Sequence, residues 1–285
     1  MKTIVIAAGY ATRLGELTKN FPKPLLQIGR STILGRMLDD IDGIPEIDEH
    51  IIVTNGKFAP IFEQWVADRA GRGVSPETST DVDPSHCQQA ASGPLPLMRP
   101  RVATVSGDTP LPVKPVRVIS DGTFTNETRL GAVCDLLFAM EKLGIDDDLL
   151  VVAADNILEF SFKGFVDYAF EKQTSCIMCH HEPDIYKLQR TGVIEVDEEM
   201  RVLQMQEKPE VPVSHWAVPP FYVYLKKDLD LVRHAVENGC GKDAPGNLAH
   251  YMVEHTVMHA WPMPAGRFDI GSLDTYEEAK IKYGN

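Results

Sequence analysis

Positive charge is in short supply along this chain of 285 residues: 28 Lys and Arg stand against 41 Asp and Glu, a net charge of −13. A protein that works mainly on nucleic acid needs a basic face to displace the counterions of a phosphate backbone, so that partner is not expected. Long apolar runs are also lacking. No stretch approaches the roughly 18 residues of a membrane-spanning helix, and no membrane partner is expected. The apolar start at residues 3–8 is too short for a secretory signal and runs straight into Gly9. Cysteine is sparse, five in all and widely scattered. An odd, dispersed set reads as reduced thiols in a cytoplasmic protein, not as a disulfide framework. Phe, Trp and Tyr are missing altogether from residues 71–115, which hold eight of the twenty prolines. Such a segment cannot bury enough apolar area to offset its ordering entropy. It is expected to be a flexible insertion, without helix or strand, in one domain spanning residues 1–285.

What is present fits an α/β protein. Residues 2–7 read as a buried strand. Apolar residues at helical spacing follow at 32–42 (Ile33, Leu34, Met37, Leu38, Ile41), then a strand at 50–54 and a helix at 58–68. Beyond the Pro-rich stretch come a strand at 116–119, a helix at about 127–143 and a strand at 148–154. Alternation of this kind is the sign of βαβ units and a parallel sheet. From about 174 the pattern changes to short strands near 174–180, 191–196, 202–206 and 217–225, which predict an antiparallel or mixed part. Helices at about 227–238 and 246–254, a strand near 256–261 and a last helix capped by Ser272 complete the chain.

Residues 7–24, Ala-Ala-Gly-Tyr-Ala-Thr-Arg-Leu-Gly-Glu-Leu-Thr-Lys-Asn-Phe-Pro-Lys-Pro, form a loop directly after the first strand. Small residues at Ala8 and Gly9 let backbone N–H groups approach a ligand closely. Arg13 and Lys23 add positive charge suited to a polyphosphate. The loop lacks the Gly-Lys-Ser/Thr end of a Walker motif and the three spaced glycines of a dinucleotide fingerprint. On its residues alone it is equally a strand-to-loop turn with two surface cations.

The same stretch resembles the signature of the sugar-1-phosphate nucleotidylyltransferases, typified by the enzymes that make dTDP-glucose and UDP-glucose. Their Ala-Ala-Gly, Thr-Arg-Leu, Thr and Pro-Lys-Pro positions are matched by Gly9, Thr12, Arg13, Leu14, Thr18, Pro22, Lys23 and Pro24. The resemblance implies a Rossmann-like (GT-A-like) three-layer α/β/α fold, with a mixed, mainly parallel central sheet and a smaller antiparallel part. It implies transfer of a nucleotidyl group from a nucleoside triphosphate to a sugar-1-phosphate, with release of pyrophosphate. Ala8, Gly9 and Thr12 would hold the nucleotide, Arg13 would clamp the β- and γ-phosphates, and Lys23 would stabilise charge at the reacting phosphate.

Two aspartates complete the resemblance. Asp155 follows an apolar strand, where α/β sheets place ligands, and stands in the family's Gly-Asp-Asn context with Ala154 for the glycine. Asp269 lies in a segment, Phe268 to Gly271, corresponding to the family's Trp/Phe-x-Asp-x-Gly. Taken singly, each reads as a turn or cap residue. Together they would hold Mg²⁺, which favours one or two carboxylates plus substrate phosphate oxygens; the metal would supply the positive charge that the acidic chain lacks. Glu207-Lys208-Pro209 and Gly192-Val193-Ile194-Glu195 match the sugar-phosphate segments, so Gly192, Glu207 and Lys208 are the expected contacts there. Leu130-Gly131-Ala132 corresponds to the base-reading segment, with Gly131 as its nucleotide contact, but the Gln that many relatives carry is absent. Uridine, thymidine, cytidine and guanosine nucleotides therefore stay open.

Two other activities fit the same fold. One is a CTP-dependent cytidylyltransferase acting on an alcohol phosphate of the phosphocholine or inositol phosphate type. The other is a non-catalytic nucleotide-binding regulatory subunit. The sequence is also compatible with a homo-oligomer. Cys176-Ile-Met-Cys179-His180 has the spacing of a haem-attachment or zinc site; its plainer reading is a buried strand whose small apolar residues are cysteines.

Overall fold

The β-branched run Thr-Ile-Val-Ile opens the chain as a strand, and the rest of the fold is laid down on either side of it. The computed structural model describes residues 1–11, 14–70 and 113–284. Among these the elements run β1 (Lys2–Ile6), α1 (Glu16–Lys19), β2 (Gln27–Ile28), β3 (Ser31–Thr32), α2 (Ile33–Ile41), β4 (Glu49–Thr54), α3 (Ala59–Ala70) and β5 (Val116–Ser120). There follow α4 (Ala132–Leu143), β6 (Leu149–Ala153), β7 (Asn156–Leu158), α5 (Lys163–Lys172), β8 (Ser175–His181), α6 (Ile185–Leu188) and β9 (Gly192–Val196). The chain continues through β10 (Val202–Glu207), β11 (Trp216–Val218), β12 (Phe221–Tyr224), α7 (Asp230–Glu237), α8 (Pro245–His255), β13 (Met258–Pro262), β14 (Arg267–Asp269) and α9 (Leu273–Tyr283).

Strands β5, β4, β1 and β6 lie side by side and parallel, with Ile4 of β1 opposite both Ile51 and Val151. The chain winds outward from β1 to β4 to β5, then returns to place β6 on the other flank of β1. The direction of winding reverses between β1 and β6, and open α/β sheets bind ligands outside the carboxyl ends of the strands at such a reversal.

Side chains alternate across this sheet with period two. Val5, Leu150, Val152, Phe221 and Val223 pack under α2, α3 and α5. Ile4, Leu149, Val151, Tyr222 and Tyr224 pack on α4, α7 and α8. The result is the three-layer α/β/α sandwich that the sequence led us to expect. A third cluster joins Leu14, Ile28, Ile157, Ile270 and Tyr276, and docks α9 against the two-stranded ribbon of β7 and β14. Ser272 caps α9 as expected, in a reciprocal bond with Thr275.

The antiparallel part is continuous with the parallel one. β11 and β12 both pair with one side of β8. On their other side β12 takes β6, and β11 takes β9. β9 therefore begins just beyond the point where β6 ends: Gly192 is opposite Val218, while Ala153 N donates to Pro220 O. β10 flanks β9 as β1 flanks β6.

The differences from expectation have local causes. The single strand expected at 217–225 is two, because Pro219 and Pro220 have no N–H to give the ladder. α4 starts at Ala132, not near 127, since Gly131 takes φ 93° and ends the preceding loop. α5 went unrecognised, although Phe165, Val166 and Ala169 mark its buried face. Residues 113–115 carry no helix or strand, and the rest of the expected insertion, 71–112, lies outside the described residues. Its two flanks meet at buried Asp42, which accepts from Arg69 Nη2 at 2.7 Å, Lys114 N at 3.1 Å and His50 Nε2 at 2.8 Å. Burial alone would raise this carboxyl, but those donors and the Arg69 charge hold it below its ordinary value.

Candidate active site

A cleft of about 230 Å³ opens at the carboxyl ends of β1 and β6, lined by Ala7, Gly9, Lys23, Ala154, Asp155 and Gly271 among others. Its floor is the turn after β1. Ala7 N donates to Val53 O at 2.8 Å, and buried Asn55 donates through Nδ2 to Ala8 O at 3.0 Å. The same Asn55 accepts from Phe58 N through Oδ1, so one amide ties the loop to the start of α3. Sequence reading missed Asn55, because a lone Asn after a strand reads as turn chemistry. Among the described residues, leaving aside its two chain neighbours, no atom lies within 4 Å of where a Cβ on Gly9 would stand. Thr18 Oγ1 donates to Ala11 O at 2.8 Å and closes the far side of the loop. Thr12 and Arg13 lie outside the described residues.

Lys23 sits in a single 3-10 turn between Pro22 and Pro24, anchored by buried Leu25 and Leu26. Its Nζ donates to Asp155 Oδ2 at 3.0 Å. Asp155 follows β6, and the next residue, Asn156, pairs with Asp269 across the β7–β14 ribbon. Ile270 N donates to Asp155 O at 3.0 Å, which locks the two aspartate segments together. Lys23, Asp155 and Asp269, far apart in sequence, are thus neighbours at the point of winding reversal. Phe268 directly precedes Asp269, so the spacing of the Trp/Phe-x-Asp-x-Gly pattern puts its aromatic position at Arg267, not at Phe268.

Across the end of β6 stand the residues expected on the sugar side. Gly192 opens β9 opposite Glu207, the last residue of β10. The Glu207 carboxyl lies against Gly246 in the first turn of α8, where an added Cβ would come within 1.9 Å of Oε2. Burial raises the Glu207 pKa, and the neighbouring Lys208 charge partly offsets this. Lys208 itself holds φ 50°, in the left-handed region, and its N donates to Thr191 O at 3.0 Å. Such a backbone costs a bulky residue on the order of 1–2 kcal/mol, and it turns the half-exposed side chain off the end of the strand.

Gly131 has a different setting. It is not among the residues lining the cleft. Lys242 O stands 2.5 Å from the place of a Cβ on Gly131 and accepts from Val133 N at 3.0 Å, so close backbone packing accounts for a glycine there. One turn into α4, Asp135 is 3% exposed and its Oδ1 has no hydrogen-bond partner among the described residues. Burial, with the Asp121 carboxyl at the end of β5 adding to it, pushes Asp135 up to about 7.

The cysteine motif takes the plainer reading. In β8, Cys176 faces the α2–α5 layer and Cys179 the α4–α8 layer, so the two thiols cannot share one metal. Burial pushes both up to about 12.

The sequence profile of the nucleotidyl transferase family matches residues 2–93 and 119–285. The chain belongs to the nucleotidyl transferase family. Among family members of named function, it is 21% identical to a glucose-1-phosphate adenylyltransferase of Fervidobacterium nodosum, over 98% of this chain and 60% of that protein. It is 27% identical to one of Bacillus mycoides, over 98% of this chain and 66% of that protein. The chain therefore spans less than two thirds of the length of these curated relatives. Among solved structures, a UDP-glucose pyrophosphorylase complexed with UDP-glucose superposes with a TM-score of 0.72 at 18% identity, over 99% of this chain and 97% of that one. A putative glucose-1-phosphate thymidylyltransferase from Bacillus anthracis, in complex with a sucrose, gives 0.71 at 18% identity, over 100% and 96%. At that identity the likeness concerns the nucleotidyl transferase fold. Among the described residues, no helix is long and apolar enough to cross a membrane.

Proposed function

We propose that this nucleotidyl transferase joins a nucleoside triphosphate to a sugar-1-phosphate, giving a nucleoside-diphosphate sugar and pyrophosphate. One observation carries the reading: Lys23 Nζ is 3.0 Å from Asp155 Oδ2, in a cleft at the β1–β6 reversal, with Asp269 on the neighbouring strand. The relatives named above, each called a sugar-phosphate nucleotidyltransferase or pyrophosphorylase, support the substrate class.

The chemistry asks for no protein nucleophile. A sugar-phosphate oxygen, already ionised near neutral pH, attacks the α-phosphorus in line, and the bond to the β-phosphate bridging oxygen breaks. The protein has to bring two anions together and stabilise the charge that grows between them. Backbone N–H groups at Ala8 and Gly9 are assigned to the nucleotide, with Thr12 beside them, and Arg13 to the departing pyrophosphate. Lys23 is assigned to the reacting phosphate, and Lys208 to the sugar phosphate, with Gly192 and Glu207 at the sugar. The Asp155 and Asp269 carboxylates are hard oxygen donors, and two of them beside open phosphate-binding space suit Mg²⁺. When bound, the ion would neutralise phosphate charge and polarise the reacting phosphoryl group.

Pyrophosphate release over a panel of nucleoside triphosphates and sugar or alcohol phosphates tests the reading. Asp155→Asn and Asp269→Asn should each abolish turnover while leaving the circular dichroism spectrum unchanged. Near-normal rates in both would sink the metal assignment. Lys208→Ala should raise the KM for the sugar phosphate more than that for the nucleotide; equal effects would remove its assigned role.

A further inference from the structure

Asp155 is held at both oxygens. Lys23 takes Oδ2, and Asn156 Nδ2 donates to Oδ1 at 2.7 Å. Asn156 is 3% exposed, so water does not orient its amide. Its other end, Oδ1, accepts from Arg267 Nη1 at 2.6 Å. The two ends of this amide are not interchangeable. A guanidinium has only donors and an ionised carboxylate only acceptors. The atom facing Arg267 must therefore be the amide oxygen, and the atom facing Asp155 must be the nitrogen.

Arg267 occupies β14 two residues before Asp269, so both side chains leave the same face of the strand. Burial lowers the Arg267 pKa, and the carboxylates of Asp269, Asp155 and Glu182 pull it back up. Its Nε is buried with no hydrogen-bond partner among the described residues. Keeping a cation in such a place is costly unless its charge and donors are used. Nearby His180 is pushed down to about 4 by burial, with the Arg267 charge adding to the effect, so it brings no second positive charge near neutral pH.

We propose that Arg267 is a positioning residue: acting through Asn156, it fixes the orientation of the Asp155 carboxylate toward a divalent metal. The inference rests on the reading of Asp155 as a metal ligand. It assigns to this chain a partly buried cation at the position where the family pattern has an aromatic residue. Groups that orient a metal-binding carboxylate are worth about 10- to 100-fold in metal affinity or activity.

The test is Mn²⁺ alone, titrated into the intact protein and followed by the paramagnetic resonance signal of the free ion. Arg267→Met should weaken Mn²⁺ binding about tenfold, and Arg267→Lys, which keeps a charge and one donor, should fall in between. Asn156→Ala should lose as much as Arg267→Met, and the double variant should be no worse than either single one, because both break the same relay. Unchanged Mn²⁺ affinity in a folded Arg267→Met or Arg267→Lys protein overturns the proposal. So do losses that multiply in the double variant, or a wild-type protein that takes up no Mn²⁺. The pyrophosphate assay separates this from the proposed function. Wild-type protein that releases no pyrophosphate from any substrate pair, yet shows the expected Mn²⁺ series, loses the function reading and keeps the relay. Normal release with Mn²⁺ affinity indifferent to residue 267 loses only the relay.

Discussion

A carboxyl buried without a full set of partners reports its surroundings through its proton. Asp135 is 3% exposed, its Oδ1 has no partner among the described residues, and burial raises its pKa to about 7 from 3.8. A group raised in the folded state keeps its proton while the unfolded chain releases it. Its contribution to stability is full below about pH 4, falls as pH rises toward 7 and is gone above that. Three pKa units set a ceiling on the order of 4 kcal/mol. Asp135→Asn, which stays neutral at every pH, should therefore gain on the wild-type protein in urea unfolding between pH 4 and 7, with the gain levelling above 7. A constant difference between the two proteins across that range would show that Asp135 ionises normally. Of the candidate site, Lys23, Asp155, Glu207 and Asp269 were legible in the sequence, because spacing and resemblance single them out. Asn55, Asn156 and Arg267 were not read as site residues, since their importance lies in the partners the fold gives them.

At the scale of elements, glycines mark where segments press together. Gly246, on the first turn of α8, leaves room for the Glu207 carboxyl. Gly246→Ala should push that flexible side chain aside and raise the KM for the sugar phosphate several-fold. The protein should be no less stable, because Ala is the better helix former by up to about 1 kcal/mol. An unchanged KM would place the sugar phosphate away from Glu207. Gly131→Ala tests a stiffer contact, for here the obstacle is the Lys242 backbone and φ is 93°. A loss of about 1–3 kcal/mol in urea unfolding is expected, and a loss near zero would mean that the loop at 242 yields. Both contacts belong to one connector, from the end of α7 to the start of α8, which touches the start of α4 and the end of β10 in turn. Periodicity reveals elements like these, but it does not reveal which of them touch.

Across the whole molecule, the candidate cleft and the two flanks of residues 71–112 lie at opposite ends of the parallel strands. The cleft is at the carboxyl ends of β1 and β6. Asp42, which binds both Arg69 and Lys114, is beside His50 at the amino end of β4. The described chain therefore stops at Ala70 and resumes at Val113 on the side away from Asp155, with these flanks tied together through Asp42. Replacing residues 71–112 with a short Gly/Ser linker should leave kcat/KM within about twofold, since a flexible linker of a few residues spans such a gap. A large drop in kcat/KM with an unchanged melting temperature would give that segment a part in the reaction.

The sequence by itself determined the layers and pointed to the chemistry proposed above. Near-continuous apolar runs at 3–6, 149–153 and 221–224 bury both faces only between two layers of helices, and the loop at 7–24 with Asp155 and Asp269 supplies groups suited to phosphates and a divalent cation. Those patterns are local, and a local pattern survives without knowledge of its neighbours. Only the tertiary structure decided that β9 resumes where β6 stops, so that Gly192 and Glu207 face the end of the parallel sheet. It alone put Arg267 behind Asn156. Both depend on strand pairing between distant segments, and pairing is set by the register and packing of the assembled sheet.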